Sequence, residues 1–251
     1  MKHCIIGDVH GEYEALLNLI EKTPPESQLV FVGDLVDRGE KSAHVVRYVR
    51  EHRLPCVRGN HEEMMIKFGG EFIEAIEKNR RVPQENIWLQ HGGVETLVSY
   101  GLISVEEKEL VPHPFIKEFL FQFKDDIAWM KRLPLYLELL YALHESRRAI
   151  VVSHSSIASV WHLRHDKEEE EIFRENVLWN RTKPEDHTNI LNIFGHTPQK
   201  YTVEIEDHFV NVDTGCYIKR KKGYGLLSAY CVETGEVFSA TGELDETLRA
   251  S

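Results

Sequence analysis

The sequence has no closely spaced pair of cysteines. Cys4, Cys56, Cys216 and Cys231 are the only four, and they are widely scattered. That spacing argues against a Cys-based zinc site and a disulfide framework, and it predicts reduced thiols packed as small buried apolar groups. Long apolar runs are missing as well. No stretch approaches the roughly 20 apolar residues that cross a bilayer, so no membrane partner is expected. The opening residues 1–11 hold an apolar run too short for a signal peptide. A soluble, cytoplasmic protein is the expectation. Positive charge is in deficit: 30 Lys and Arg stand against 41 Asp and Glu, for a net charge of −11. Such a balance argues against long nucleic acid as a partner, while leaving room for a local basic pocket that binds a small phosphate. The chain has no repeat, no low-complexity linker and no Pro/Gly/Ser-rich boundary, so one domain over 1–251 is predicted.

What is present begins as alternating apolar runs and helical patterns. Residues 2–7, 28–33 and 54–58 read as strands, and 12–21 and 42–52 as the helices between them. This β-α-β-α-β order predicts a parallel sheet with right-handed crossovers. Residues 62–134 read as a mostly helical insertion, strongest over 115–133 and stopped by Pro134. Strands are then predicted at 135–143, 149–153, 190–194, 201–205, 209–212 and 225–232, separated by turn residues. The charge run at 165–171 reads as a solvated loop or helix start.

The chemistry sits where the strands end. Asp8 and His10 follow the first, Asp34 the second, and Asn60 and His61 the third. In open α/β sheets, ligands bind beyond the carboxyl ends of the strands, so these side chains should converge on one rim. Asp8 and His10 are two residues apart, a spacing that in extended backbone points both the same way. A carboxylate and an imidazole so directed make half a metal site; the plainer alternative is a helix-capping Asp and an incidental His. Asp34 carries two oxygens and can bridge two cations, with Asp37 and Arg38 just beyond; an Asp-rich turn with a surface ion pair is the alternative. Asn60 offers a neutral oxygen, and His61 can ligate or transfer a proton. His154 and His196 close two later apolar runs. Either alone is more often structural. Trp88, Trp129, Trp161 and Trp179 could stack on a base, though core filling is the better expectation for each.

The ordered set Asp8-x-His10, Gly33-Asp34-x-x-Asp37-Arg38-Gly39, Arg58-Gly59-Asn60-His61-Glu62, His154 and Gly195-His196-Thr197 resembles the calcineurin-like metallophosphoesterases. It is most similar to their phosphoprotein phosphatase branch, and there to the bacterial and bacteriophage lambda type of serine/threonine phosphatase. Trp88 to Gly93 with Thr96 to Gly101, Val177 to Arg181, and Asn211 to Gly215 add to the resemblance, which runs from Asp8 to about Thr241. One departure is visible: Ser155-Ser156 stand where the family commonly has Ala-Gly.

The resemblance implies an α/β fold of the metallophosphoesterase type, a β-sandwich of mixed sheets flanked by helices in four layers, α/β/β/α. It implies two divalent metals, manganese above all, with iron or zinc as alternatives. One would be held by Asp8, His10 and Asp34, the other by Asp34, Asn60, His154 and His196. His61 would protonate the leaving group, oriented by Asp37, while Arg38, Arg58, Asn60 and Arg181 would bind the substrate phosphate. The activity implied is hydrolysis of phosphomonoesters on a phosphorylated protein or peptide, or on a small phosphoester. A symmetrical dinucleoside tetraphosphate hydrolase shares the same metal motifs. A binding protein that kept the fold and lost catalysis is disfavoured, because all six ligand positions and His61 are filled.

Overall fold

The computed structural model describes residues 2–142, 144–186 and 188–243. Strands β1 (His3–Ile6) and β2 (Gln28–Phe31) pair in parallel. Against the other edge of β1 lies β10 (Leu227–Cys231), antiparallel, followed by β11 (Glu236–Ala240). A second sheet has the order β5 (Tyr136–Glu138), β6 (Ala149–Ser153), β7 (Ile190–Phe194), β9 (Phe209–Asn211) and β8 (Glu204–Glu206). Its three central strands are parallel and its two outer strands antiparallel.

Strand periodicity explains how the sheets stack. Successive side chains point to opposite faces, and strands buried on both faces read as unbroken apolar runs. Ile5, Val30 and Val32 from one sheet meet Ile150, Val152, Leu191, Ile193 and Val210 from the other in a single core layer. Their alternates, Cys4, Ile6, Leu29 and Phe31, face away and pack against α1 (Tyr13–Lys22), α2 (Ser42–Glu51) and the 62–134 region. Val151 and Ile190 face the opposite outer layer, formed by a 3₁₀ turn at Ala158–Leu163 and the helix Glu170–Trp179. The expected mixed-sheet sandwich between helical layers is what the chain forms. Among the described residues no helix is long and apolar enough to cross a membrane.

Several local expectations are corrected. The strand at 54–58 shrinks to one parallel bridge between Phe31 and Cys56. Pro55 has no N–H to extend a ladder, and Arg58 N–H turns away to Pro134 O. The 62–134 region is helical at α3 (Asn60–Met64), α4 (Gly70–Glu77), α5 (Val94–Ser99) and α6 (Ile116–Met130), but it also holds a hairpin. Its strands, β3 (Ile103–Glu106) and β4 (Glu109–Pro112), are joined by Glu107 and Lys108, both at positive φ. That is the backbone of a tight hairpin turn, made here without the usual Asn-Gly or Asp-Gly signal. The strand expected at 135–143 is confined to Tyr136–Glu138, and its last residue, Leu143, lies outside the described residues. β11 was not anticipated.

The cysteines give the largest surprise. Cys4 and Cys231 are register partners across β1 and β10, and a disulfide joins them across 227 residues of sequence. The expectation of four reduced thiols is overturned for this pair. Separation along the chain carries no information about a strand pairing that brings the last third back onto the first. Cys56 and Cys216 are free and buried.

Candidate metal centre

Asp8, His10, Asp34, Asp37, Asn60, His61, His154 and His196 are all buried, although each lies in or beside a loop. They converge from turns that follow β1, β2, the bridge at Cys56, β6 and β7. Extended alternation does not aim Asp8 and His10, since β1 ends at Ile6. A left-handed turn does so instead. His10, Asp34, Asp37, Arg38 and His196 have φ of 46°, 50°, 72°, 70° and 69°. Non-glycine residues rarely occupy that region, and such strain gathers at functional sites. Two glycines permit the close approach. A Cβ at Gly59 would lie 2.2 Å from Asp34 Oδ1, and one at Gly195 would lie 2.1 Å from Asp8 Oδ1.

Two groups of ligand atoms result, and Asp34 belongs to both. His10, Asp34 and His61 form one; Asp34, His154 and His196 form the other, each with its atoms within 4.8 Å of one another. Asp34 Oδ2 lies 3.5 Å from His10 Nε2, and Asp34 Oδ1 lies 3.5 Å from His154 Nε2. One carboxylate oxygen thus faces each group. Asp8 Oδ2 stands 4.0 Å from His10 Nε2, and Asn60 Oδ1 stands 2.7 Å from His154 Nε2. These His and Asp groups are able to hold a dinuclear metal site.

Hydrogen bonding fixes which way the rings present themselves. His10 Nδ1 lies 2.9 Å from Val36 O, and His154 Nδ1 lies 2.9 Å from Val32 O. A carbonyl only accepts, so each Nδ1 carries the proton and each Nε2 turns a lone pair inward, the arrangement of metal-ligating histidines. His196 packs its Nδ1 3.0 Å from His154 Nε2, and its buried Nε2 has no hydrogen-bond partner among the described residues. Orphaned buried nitrogen and converging lone pairs fit cations. A pair of divalent cations there would supply water activated near neutral pH and a clamp on phosphoryl oxygens.

Electrostatics separates the histidines by role. Burial holds His10 well below the usual imidazole range and lowers His154 too; burial, with neighbouring His154, drives His196 down to about 2. These three rings stay neutral, as ligands must. For His61, burial also opposes the charge, but Asp34 and Asp37 outweigh it and raise its pKa. Burial pushes Asp34 up as well, yet His154, His61, His10 and His196 prevail and hold it far below the usual carboxylate range. Asp8 is driven the other way by burial and by the Asp213 and Asp34 carboxylates. Crowded carboxylates of this kind are relieved by bound cations. Chelator-stripped protein should therefore melt below metal-loaded protein. A cation at about a hundred times its dissociation constant adds about 2.7 kcal/mol, which for a chain this size raises Tm by roughly 5–10 °C. Identical melting curves with and without divalent cation would contradict the site.

The surrounding residues explain its rigidity. Asp37 accepts hydrogen bonds from His61 Nδ1 at 2.6 Å, Trp88 Nε1 at 3.0 Å and Thr96 Oγ1 at 2.7 Å. Trp88 does fill core, as expected, but its indole N–H also fastens the residue that orients His61. Glu62 drew no separate attention in the sequence. Its carboxylate accepts the backbone N–H of Asp34, Leu35 and Gly59 at 2.8, 2.8 and 2.9 Å. Glu62→Ala leaves three buried donors without a partner and should cost about 3 kcal/mol or more in urea unfolding, with loss of bound metal. Unchanged stability would show that water or a repacked side chain serves those donors.

The arginines divide. Arg38 donates to His10 Nε2 at 2.9 Å, and its guanidinium carbon lies 4.2 Å from the Tyr217 ring centroid. Arg181 donates to His196 O at 3.2 Å. Both stand at the centre. Arg58, expected to bind phosphate, donates from its terminal nitrogens to Lys131 O, Leu133 O and Glu63, and its buried Nε has no hydrogen-bond partner among the described residues. The geometry makes it a brace between the 58–62 turn and the end of α6. Ser155 and Ser156 prove compatible with a buried loop. Ser155 Oγ donates to Val177 O at 2.9 Å, and Ser156 O accepts Asn180 Nδ2–H, tying His154 to the helix that leads to Arg181.

The comparisons with known proteins agree with this geometry. The family model described as calcineurin-like phosphoesterase matches residues 1–213, and the chain belongs to that family. It is 27% identical to an asymmetrical bis(5'-nucleosyl)-tetraphosphatase, PrpE, of Oceanobacillus iheyensis, covering 92% of this chain and 88% of that one. It is 25% identical to a protein of the same name from Geobacillus sp. strain WCH70, covering 97% and 96%. Among solved structures it resembles a putative diadenosine tetraphosphatase, with a TM-score of 0.56 at 19% identity over 96% and 94% of the two chains. A protein serine/threonine phosphatase from Saccharomyces cerevisiae shares the fold, with a TM-score of 0.56 at 15% identity over 98% and 82%.

Proposed function

We propose that this chain is a two-metal hydrolase acting on the phosphoanhydride chain of a dinucleoside tetraphosphate. The observation that carries the two-metal reading is Asp34, shared by both ligand groups, beside one histidine whose surroundings favour the charged form and three whose surroundings favour the neutral one. Asp8, His10 and Asp34 would hold one cation, and Asp34, Asn60, His154 and His196 the other. Manganese suits this oxygen and nitrogen set, as do iron and zinc. Water attacks phosphorus in line with the leaving oxygen, and no side chain forms a covalent intermediate. His61, oriented by Asp37, gives its proton to the leaving oxygen, while Arg38 and Arg181 fork onto non-bridging oxygens.

The relatives support this substrate: both are named as asymmetrical bis(5'-nucleosyl)-tetraphosphatases and match over most of each chain. The 33–39 and 58–62 motifs favour a second reading, a serine/threonine protein phosphatase. Turnover of diadenosine tetraphosphate, a nucleoside monophosphate and a phosphoserine peptide, side by side with manganese, decides between them. AMP and ATP as products support asymmetrical cleavage. Two ADP support the symmetrical reaction. Phosphate released from the peptide at the highest kcat/KM overturns the nucleotide reading in favour of the protein phosphatase.

A further inference from the structure

The longest unbroken run of cations in this acidic chain is Lys219-Arg220-Lys221-Lys222. It took no part in the motifs, yet the fold roots it at the metal centre. Cys216, just before it, is buried against the backbone oxygens of Asp8 and Val9. The Tyr217 ring lies 4.9 Å from the His10 ring and stacks on Arg38. Lys219 Nζ pairs at 2.8 Å with Glu12, two residues beyond His10. On the far side, Gly223 O accepts the Tyr201 N–H at 2.7 Å, and Tyr201 follows Lys200 in the segment that leaves His196. The loop therefore straddles the two segments carrying His10 and His196. Lys219 to Lys222 and Lys200 are exposed, and four of these five cations have no carboxylate partner among the described residues.

We propose that residues 217–225 and Lys200 form a subsite for the phosphates of the leaving group, beyond the phosphorus held at the metals. The assignment rests on the dinucleoside polyphosphate reading. A polyphosphate arm carries several negative charges that a net charge of −11 disfavours, and a run of cations beside the centre, three of its four without a carboxylate partner among the described residues, focuses it there. The subsite sets which phosphorus reaches the metals, because phosphates held on the loop belong to the group that leaves.

The test is the manganese-loaded triple variant Arg220→Ala, Lys221→Ala, Lys222→Ala. Inhibition of p-nitrophenyl phosphate hydrolysis by inorganic tripolyphosphate and by orthophosphate is measured at fixed free manganese. Tripolyphosphate inhibition should weaken about tenfold relative to orthophosphate inhibition, as loss of several exposed charge pairs implies. An unchanged ratio of the two inhibition constants overturns the subsite. A shifted ratio in a protein that leaves diadenosine tetraphosphate intact keeps the subsite and removes the dinucleotide substrate. Cleavage of diadenosine tetraphosphate with an unshifted ratio removes the subsite alone.

Discussion

Asp34→Asn is expected to abolish turnover of p-nitrophenyl phosphate, by about a thousandfold or more, and to lower the metal bound per chain. Aspartate at this position presents one oxygen to His10 and the other to His154, and its negative charge is the one that four imidazoles surround. Asparagine keeps the shape but supplies one oxygen, an amide nitrogen and no charge. The backbone should hold, because Glu62 still accepts the N–H of residue 34. Activity and metal should therefore fall together while the melting curve of the stripped protein barely moves. Near-wild-type turnover would end the claim that this carboxylate bridges.

His61→Asn should separate the two quantities. The ring is fastened through Nδ1 to Asp37, and its Nε2 lies 4.0 Å from Asp34 Oδ2. It is the single histidine of the cluster whose surroundings favour the charged form, which suits a proton donor better than a ligand. Metal content should persist. Esters with poor leaving groups should slow by roughly a hundredfold or more, since a positioned acid contributes on that scale. An anhydride whose leaving oxygen is already stable as an anion should slow less. Equal losses on a phosphoserine peptide and on p-nitrophenyl phosphate would remove His61 as the acid, and loss of metal alone would make it a ligand.

Much of this centre was legible because its parts sit at strand ends, where apolar runs stop abruptly at Asp8, Asp34, Asn60, His154 and His196. Both-face burial gave β6 and β7 their sequence signal, and the structure places them at the expected residues. What escaped was long-range. Nothing near Cys4 announces Cys231, because register between distant strands is a property of the assembled sheet. The Glu107-Lys108 turn hid because its residues carry no turn preference and its strands are largely exposed. The contacts of Arg58 with the carbonyls that follow α6 were not legible either, because only packing supplies them. The indole of Trp88 has two duties, and a pattern of apolar residues reveals one of them.

The left-handed turns at His10, Asp34, Asp37, Arg38 and His196 have a bearing on how such a chain can evolve. Each is a position where glycine would sit more comfortably, at a saving of order 1 kcal/mol, yet each side chain is one the site employs. Drift toward greater heat resistance is thus closed at this rim. Variants that gain stability should map to the sandwich interior and the outer helices, leaving the strand-end turns as the part of the fold that selection must keep uncomfortable.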